Sequence, residues 1–235
     1  MNGPRKTVLV VAAHPDDEVL GCGGTIAGHA RAGDRVCVLF LSEGVSSRST
    51  PGKEHEWGPE IDAREAMATA ASNVLQFTIA GFLRHPNLRM RDYPMLDVVK
   101  QIDAVMREVR PDVIYTHHPG DMNSDHGVAF EGTLTACRPR HDLTVKQLYT
   151  VEIPSSTEWA SPLIAPPFLP NYFVDIKPTM DAKLAAVRSY DYEMRDFPHP
   201  RSAANIEALA QVRAAQVGLE LAEGFMLVRA IRDDF

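Results

Sequence analysis

Residues 7–13, Thr-Val-Leu-Val-Val-Ala-Ala, form a short apolar run rich in β-branched side chains. Such a run reads as a strand buried on both faces of a parallel sheet. It is followed at once by His14-Pro15-Asp16-Asp17-Glu18. Open α/β sheets keep their chemistry at the carboxyl ends of strands. One imidazole and two carboxylates are therefore delivered together where such a fold has its active site, and they point to a metal hydrolase.

A chain of 235 residues fits one α/β domain, 1–235, with a sizeable core. Its formal charge of −7 argues against nucleic acid or an anionic membrane as the main partner. Cys22, Cys37 and Cys137 form no CxxC pair and fit a reducing compartment. The amino terminus runs into the first strand without a signal-peptide core, and no apolar run approaches the ~20 residues of a membrane span. The expectation is a cytoplasmic protein with no membrane insertion.

Strand and helix signals alternate through the first half. After the first strand come a glycine-rich turn and a helix over 25–32, then a strand over 35–41 and a polar connection over 42–59. A helix over 61–72, a strand over 75–80, an amphipathic helix over 95–109 and a strand over 112–116 follow. Leu96, Val99, Ile102, Val105 and Met106 should share the buried face of the third helix. This rhythm predicts a Rossmann-like, mostly parallel sheet with helices on both faces. Further strands are expected over 147–153 and 172–176. Between them, 154–170 is too long for a plain connection and reads as a lid or substrate wall. A last helix over 203–222, capped by Ser202, should turn Ile206, Leu209, Val212, Val217 and Leu221 to the core.

His14 and Asp17 lie three residues apart at a strand end, so one turn can aim both at an ion. Zn²⁺ accepts nitrogen and carboxylate ligands together, and catalytic sites use three protein ligands with one position open. Asp16 is then left as a carboxylate able to take a proton from water. A third ligand should come from a second strand end, and 117–126, His-His-Pro-Gly-Asp-Met-Asn-Ser-Asp-His, follows the 112–116 strand directly. Asp125 is placed to support an imidazole from behind. His117 and His118 read better as packed or hydrogen-bonding residues. The competing reading of the first cluster is an exposed turn, with Asp16 or Asp17 capping the next helix; a second His/Asp cluster weighs against it.

At these residues the chain resembles the PIG-L/LmbE-like zinc-dependent N-deacetylases, which act largely on N-acetylated amino sugars. Ala13-His14-Pro15-Asp16-Asp17-Glu18 matches the family signature and Asp125-His126 its downstream metal motif. Leu41-Ser42-Glu43-Gly44, Arg64-Glu65 and Pro198-His199-Pro200-Arg201-Ser202 support it along most of the chain. The resemblance implies that His14, Asp17 and His126 hold zinc, that Asp16 is the general base and that Arg64 binds substrate. It implies an N-acetylated amino sugar, free, nucleotide-linked or glycosidic, as the small-molecule partner, and it is compatible with a homo-oligomer. Asn123 stands where many members carry histidine, and Asp121 where some carry tyrosine. An amide donates a hydrogen bond but no transferable proton, so Asp16 itself is expected to return the proton to the leaving amine.

Other readings compete. Gly21-Cys22-Gly23-Gly24 suggests a dinucleotide loop, but it lies past the strand end and lacks the third glycine. A zinc amidase acting on a sugar–thiol conjugate or a non-sugar amide, or a silent metal- or sugar-binding module, would use the same residues. Trp159 in the 154–170 loop either stacks on a sugar ring or anchors the loop to the core. A His₂Asp site also accepts Fe²⁺ or Co²⁺.

Overall fold

The computed structural model describes residues 5–48, 57–142 and 144–232, so 49–56 of the expected polar connection lie outside the described residues. Among these, β1 (Thr7–Ala12), β2 (Arg35–Ser42), β3 (Thr78–His85), β4 (Val113–His117), β5 (Gln147–Val151), β6 (Tyr172–Asp175) and β7 (Ala222–Ala230) form a seven-stranded sheet in the order β3-β2-β1-β4-β5-β7-β6. The first five run parallel, whereas β7 is antiparallel to both β5 and β6. The expected mostly parallel α/β sheet is thus present.

Period-two alternation along β1 divides the core. Val8, Val10 and Ala12 face one layer with residues of α1 (Asp17–Ala32), α2 (Gly58–Leu75), α5 (Met180–Arg188) and α6 (Ala203–Ala215). Leu9 and Val11 face the other with α3 (Met95–Val109) and α4 (Ser124–Ala136). Chain order reverses between β1 and β4, which are neighbours in the sheet. That switch point opens a crevice at their carboxyl ends, and the residues leaving them are His14–Asp17 and His118–His126.

Several elements depart from expectation. The glycine-rich segment is not a turn: α1 starts at Asp17 and runs through it, broken only by non-helical backbone at Cys22 (φ −147°, ψ 24°). The glycines serve close packing, since a Cβ at Gly21 would lie 2.8 Å from Val151 and one at Gly24 2.7 Å from Ile176. The dinucleotide reading fails for that reason, because the loop between β1 and α1 is the His14–Asp16 turn. α2 continues through Leu75, where a strand was expected, and β3 begins only after Gln76 turns left-handed (φ 60°). Leu96 is exposed, and Val98 takes its place against the core. The last helix stops at Ala215 with Val212 and Val217 exposed; 222–230 is a strand, whose pairing with β5 and β6 overrides local helix propensity. Ser202 caps α6 as expected, accepting from Asn205 N at 3.1 Å. The three cysteines are buried and unpaired. No helix among the described residues is long and apolar enough to cross a membrane.

The break in α1 is filled from distant parts of the chain. Glu223 of β7 accepts from Gly24 N (2.9 Å), Thr25 N (2.7 Å) and Thr25 Oγ1 (2.6 Å), capping the second half of the helix. Lys183 of α5 donates to Leu20 O at 2.9 Å and pairs with Glu223 at 2.5 Å. Removing one partner of a buried pair leaves an uncompensated charge and costs about 3–5 kcal/mol. Glu223→Ala should therefore lower the urea-unfolding free energy by about that amount, while Glu220→Ala, which removes an exposed pair with Lys177, should change it by under about 1 kcal/mol.

Candidate active site

The turn out of β1 is buried, not exposed. Asp17 Oδ2 accepts from His14 N at 2.8 Å, and Asp16, at the N-cap position of α1, makes no capping bond through its side chain. Asp16 has φ 129°, a conformation that L residues rarely adopt and that costs about 1–3 kcal/mol. Glu18 holds it there: its Oε2 accepts from Asp16 N at 3.0 Å, and its Oε1 from Tyr190 Oη at 2.6 Å. Burial pushes the Glu18 carboxyl up to about 8.

His14, Asp17 and His126 offer one ligand atom each within 4.8 Å of one another, all buried. Asp17 Oδ2 is 3.2 Å from His14 Nδ1 and 3.4 Å from His126 Nε2. Its other oxygen, Oδ1, is buried without any hydrogen-bond partner. A buried carboxylate that meets two imidazoles through one oxygen and leaves the other without a partner is a donor set that suits a divalent cation.

Each imidazole is backed by a carboxylate. His14 Nε2 bonds Asp125 Oδ2 at 3.1 Å, and His126 Nδ1 lies 3.1 Å from Asp121 Oδ2. Asp125 is anchored by Leu88 N (2.7 Å) and Met90 N (3.2 Å), and Asp121 by the hydroxyls of Ser156 and Thr157. Such carboxylate–histidine pairs fix ring orientation and raise ligand basicity. Burial opposes a proton on His14, but Asp125 and Asp17 outweigh it and push its pKa up to about 9; by the same balance Asp17 and Asp121 push His126 up to about 10. Asp17 is held well below its usual range, since His126 and the hydrogen bond from His14 outweigh its burial, and His126 holds Asp121 down to about 2 against its own burial.

His117 is neutral, its pKa lowered to about 3 by burial and by His126. Its Nε2 accepts from Ala13 N at 2.8 Å, and its ring stacks on His126 at 4.0 Å. His118 bonds Pro166 O at 2.9 Å and pins the 154–170 loop, at a point where a Cβ on Gly120 would collide with the same carbonyl. Both act as the packed, hydrogen-bonding residues expected.

Asp16 is 2% exposed, and burial raises its pKa against the pull of Arg64 and Arg201. Arg64, on α2, is 5% exposed; it meets Asp16 Oδ2 at 3.1 Å and Glu193 Oε1 at 2.7 Å. It also lines a cavity of about 550 Å³ with Val45, Trp57, Met67 and Tyr192, within the ~300–1,000 Å³ of small-molecule sites. Asn123 caps α4, its Oδ1 accepting from Asp125 N at 2.9 Å, which leaves its amide nitrogen to donate elsewhere. Trp159 is 54% exposed, with its ring edge-on to His199 at 6.2 Å, so it does not anchor the loop in the core.

Sequence reasoning missed Arg201, Glu193 and Tyr190. Arg201 Nη1 bonds Asp16 Oδ2 at 2.8 Å and Glu193 Oε2 at 3.1 Å. Its only signal was its place in the 198–202 stretch; Glu193 and Tyr190 carried none.

Three known proteins illustrate the relationships of the chain. It is 28% identical over 189 residues to the uncharacterized deacetylase YaiS of Escherichia coli, covering 79% of this chain and 91% of that one. It is 31% identical over 206 residues to the 4-oxalmesaconate hydratase of Pseudomonas putida, covering 80% and 74%. The structure of N,N'-diacetylchitobiose deacetylase from Pyrococcus horikoshii superposes with a TM-score of 0.73 at 21% identity over 96% of this chain and 85% of that one, a likeness of fold. Residues 9–137, more than half the chain, match the family model described as PIG-L: GlcNAc-PI de-N-acetylase. With the His-Pro-Asp-Asp turn and Asp125-His126 both inside the matched span, this chain belongs to the PIG-L family.

Proposed function

We propose that this protein is a zinc-dependent N-deacetylase that removes the acetyl group from an N-acetylated amino sugar, giving acetate and a free amine. The observation that carries the reading is the buried carboxylate of Asp17, whose Oδ2 meets His14 and His126 while its Oδ1 has no hydrogen-bond partner, with a second buried carboxylate, Asp16, beside it in the chain. The family description supports an N-acetylglucosamine unit as the substrate class, and the E. coli relative is named a deacetylase.

In this reading His14, Asp17 and His126 hold the ion, and Asp125 and Asp121 orient the two imidazoles. A divalent ion there supplies Lewis acidity, polarising the acetyl carbonyl and lowering the pKa of the attacking water. Both guanidiniums bond the same oxygen of Asp16, Oδ2. Oδ1 is then the atom that takes the proton from water and returns it to the leaving amine. The amide nitrogen of Asn123 donates to the developing oxyanion, a contact of the kind worth ~10²–10³ in rate. Arg64 and the cavity beside it receive the sugar, and Trp159 offers a ring face at the rim.

The P. putida relative sets the competing reading, the addition of water to a substrate whose name gives a carboxylate anion. Such an anion needs an uncompensated cation. Here the two guanidiniums beside Asp16 are already balanced by Asp16 and Glu193. That balance favours a neutral substrate and hence the amide.

Stripped protein reloaded with Zn²⁺, Fe²⁺ or Co²⁺ should release free amine from a panel of N-acetylglucosamine, N,N'-diacetylchitobiose and nucleotide-linked N-acetylglucosamine. The release should be highest with Zn²⁺ and should vanish in His126→Ala. Hydration of 4-oxalmesaconate without amine release, followed by loss of its ultraviolet absorbance, would overturn the assignment in favour of the hydratase. Asp16→Asn should lower kcat by about 10²–10⁴-fold at unchanged metal content. Asp125→Ala should weaken zinc affinity by about 10–100-fold in a chelator competition, because His14 loses its backing carboxylate.

A further inference from the structure

The groups that hold Asp16 come mostly from one segment outside the motif. Tyr190 and Glu193 lie just after α5, and Arg201 just before α6. Tyr190 reaches the backbone of Asp16 through Glu18. Glu193 reaches its carboxylate through Arg64 and Arg201, giving one oxygen to each guanidinium: Oε1 to Arg64 at 2.7 Å and Oε2 to Arg201 at 3.1 Å. Glu193 is 7% exposed, so its charge acts where water does not screen it. Arg201 is fixed further by Nε donating to Ser155 Oγ at 2.7 Å.

The arrangement has a consequence for Asp16. A guanidinium prefers to grip a carboxylate through both oxygens. Two guanidiniums facing one carboxylate would occupy both. Because Glu193 takes the second N–H of Arg64 and shares Nη1 of Arg201, both contacts to Asp16 fall on Oδ2 and spare Oδ1. Tyr190 fixes the unusual backbone angle that aims the side chain.

We propose that Glu193 and Tyr190 are positioning residues for the general base: Glu193 draws Arg64 and Arg201 off one oxygen of Asp16, and Tyr190, through Glu18, holds its backbone. The proposal rests on the reading of Asp16 as the base. Glu193 lines the cavity beside Arg64 and Tyr190 does not, so both removals should lower kcat at unchanged metal content, and that of the Tyr190 hydroxyl should also leave KM alone.

The test uses the zinc-loaded full chain and the panel sugar that the parent hydrolyses fastest. Glu193→Ala should lose about 100-fold in kcat, the size of effect that a misplacement near 1 Å produces. Its metal content should equal the parent's. Tyr190→Phe, which removes one hydroxyl outside the cavity, should show a smaller loss in kcat with KM within about 3-fold, in keeping with an interaction that acts on the chemical step alone, and serves if Glu193→Ala does not fold. A crystal structure of either variant should show Asp16 displaced, with both its oxygens in guanidinium contact in Glu193→Ala. Parental kcat in both variants, with Asp16→Asn inactive, would overturn the positioning role and leave the base in place. Parental kcat in Asp16→Asn would overturn the base and this proposal with it. An unmoved Asp16 in the crystal of Glu193→Ala would overturn the positioning role whatever the substrate.

Discussion

The buried carboxylate of Asp17 is the constraint around which this structure is arranged. It is 2% exposed and faces three imidazoles, those of His14, His117 and His126. A buried charge is tolerated only where it is paired and hydrogen-bonded. Asp17 meets that demand through Oδ2, and its Oδ1 has no hydrogen-bond partner. The neutral His117 helps by accepting from Ala13 N, which fixes the strand end from which His14 and Asp17 project. The burial of Asp17 and the geometry of the β1 turn are therefore one problem with one solution.

Charge is layered outward from that point. Asp125 and Asp121 back the imidazoles of His14 and His126, and each is held by donors from a different loop. Asp16 sits on the other side, where Arg64 and Arg201 temper the effect of its burial. The result is a set of titratable groups whose environments drive them apart: Asp17 and Asp121 are held down, while Asp16 is raised. The relatives of this chain include a hydratase as well as a protein named a deacetylase, so the activity is decided by the site and not by the fold. The neutralised guanidiniums are the part of this chain that bears on that choice.

The broken helix α1 links this chemistry to the far side of the sheet. Its first turn carries Asp17 and Glu18, and its break at Cys22 is capped by Glu223 and Lys183. A straight helix would need none of that buried polarity. The glycines at 21 and 24 let β5 and the residue after β6 approach the helix closely, and the ion pair satisfies the backbone groups the break exposes. The strand that supplies Glu223 lies beyond the last helix expected from the sequence and was not foreseen there.

Local patterning along the chain determined the parallel sheet, the paired helical layers and the turn that bears His14, Asp16 and Asp17. Strand burial, strand–helix alternation and motif spacing are short-range properties, and they can be read over a few residues. The bounds of the helix at 95–109 were legible to the residue for the same reason, although Val98 and not Leu96 joined its buried face. What only the tertiary structure decided are contacts across great chain distances: Arg201 lies 185 residues from Asp16, Tyr190 172 from Glu18, and Glu223 199 from Gly24. An arginine, a tyrosine or a glutamate in a connecting segment has no periodicity to betray its partner. Their roles exist only once the sheet has brought β7 and the α5–α6 connection against the first helix, where burial turns ordinary polar residues into fixed charges.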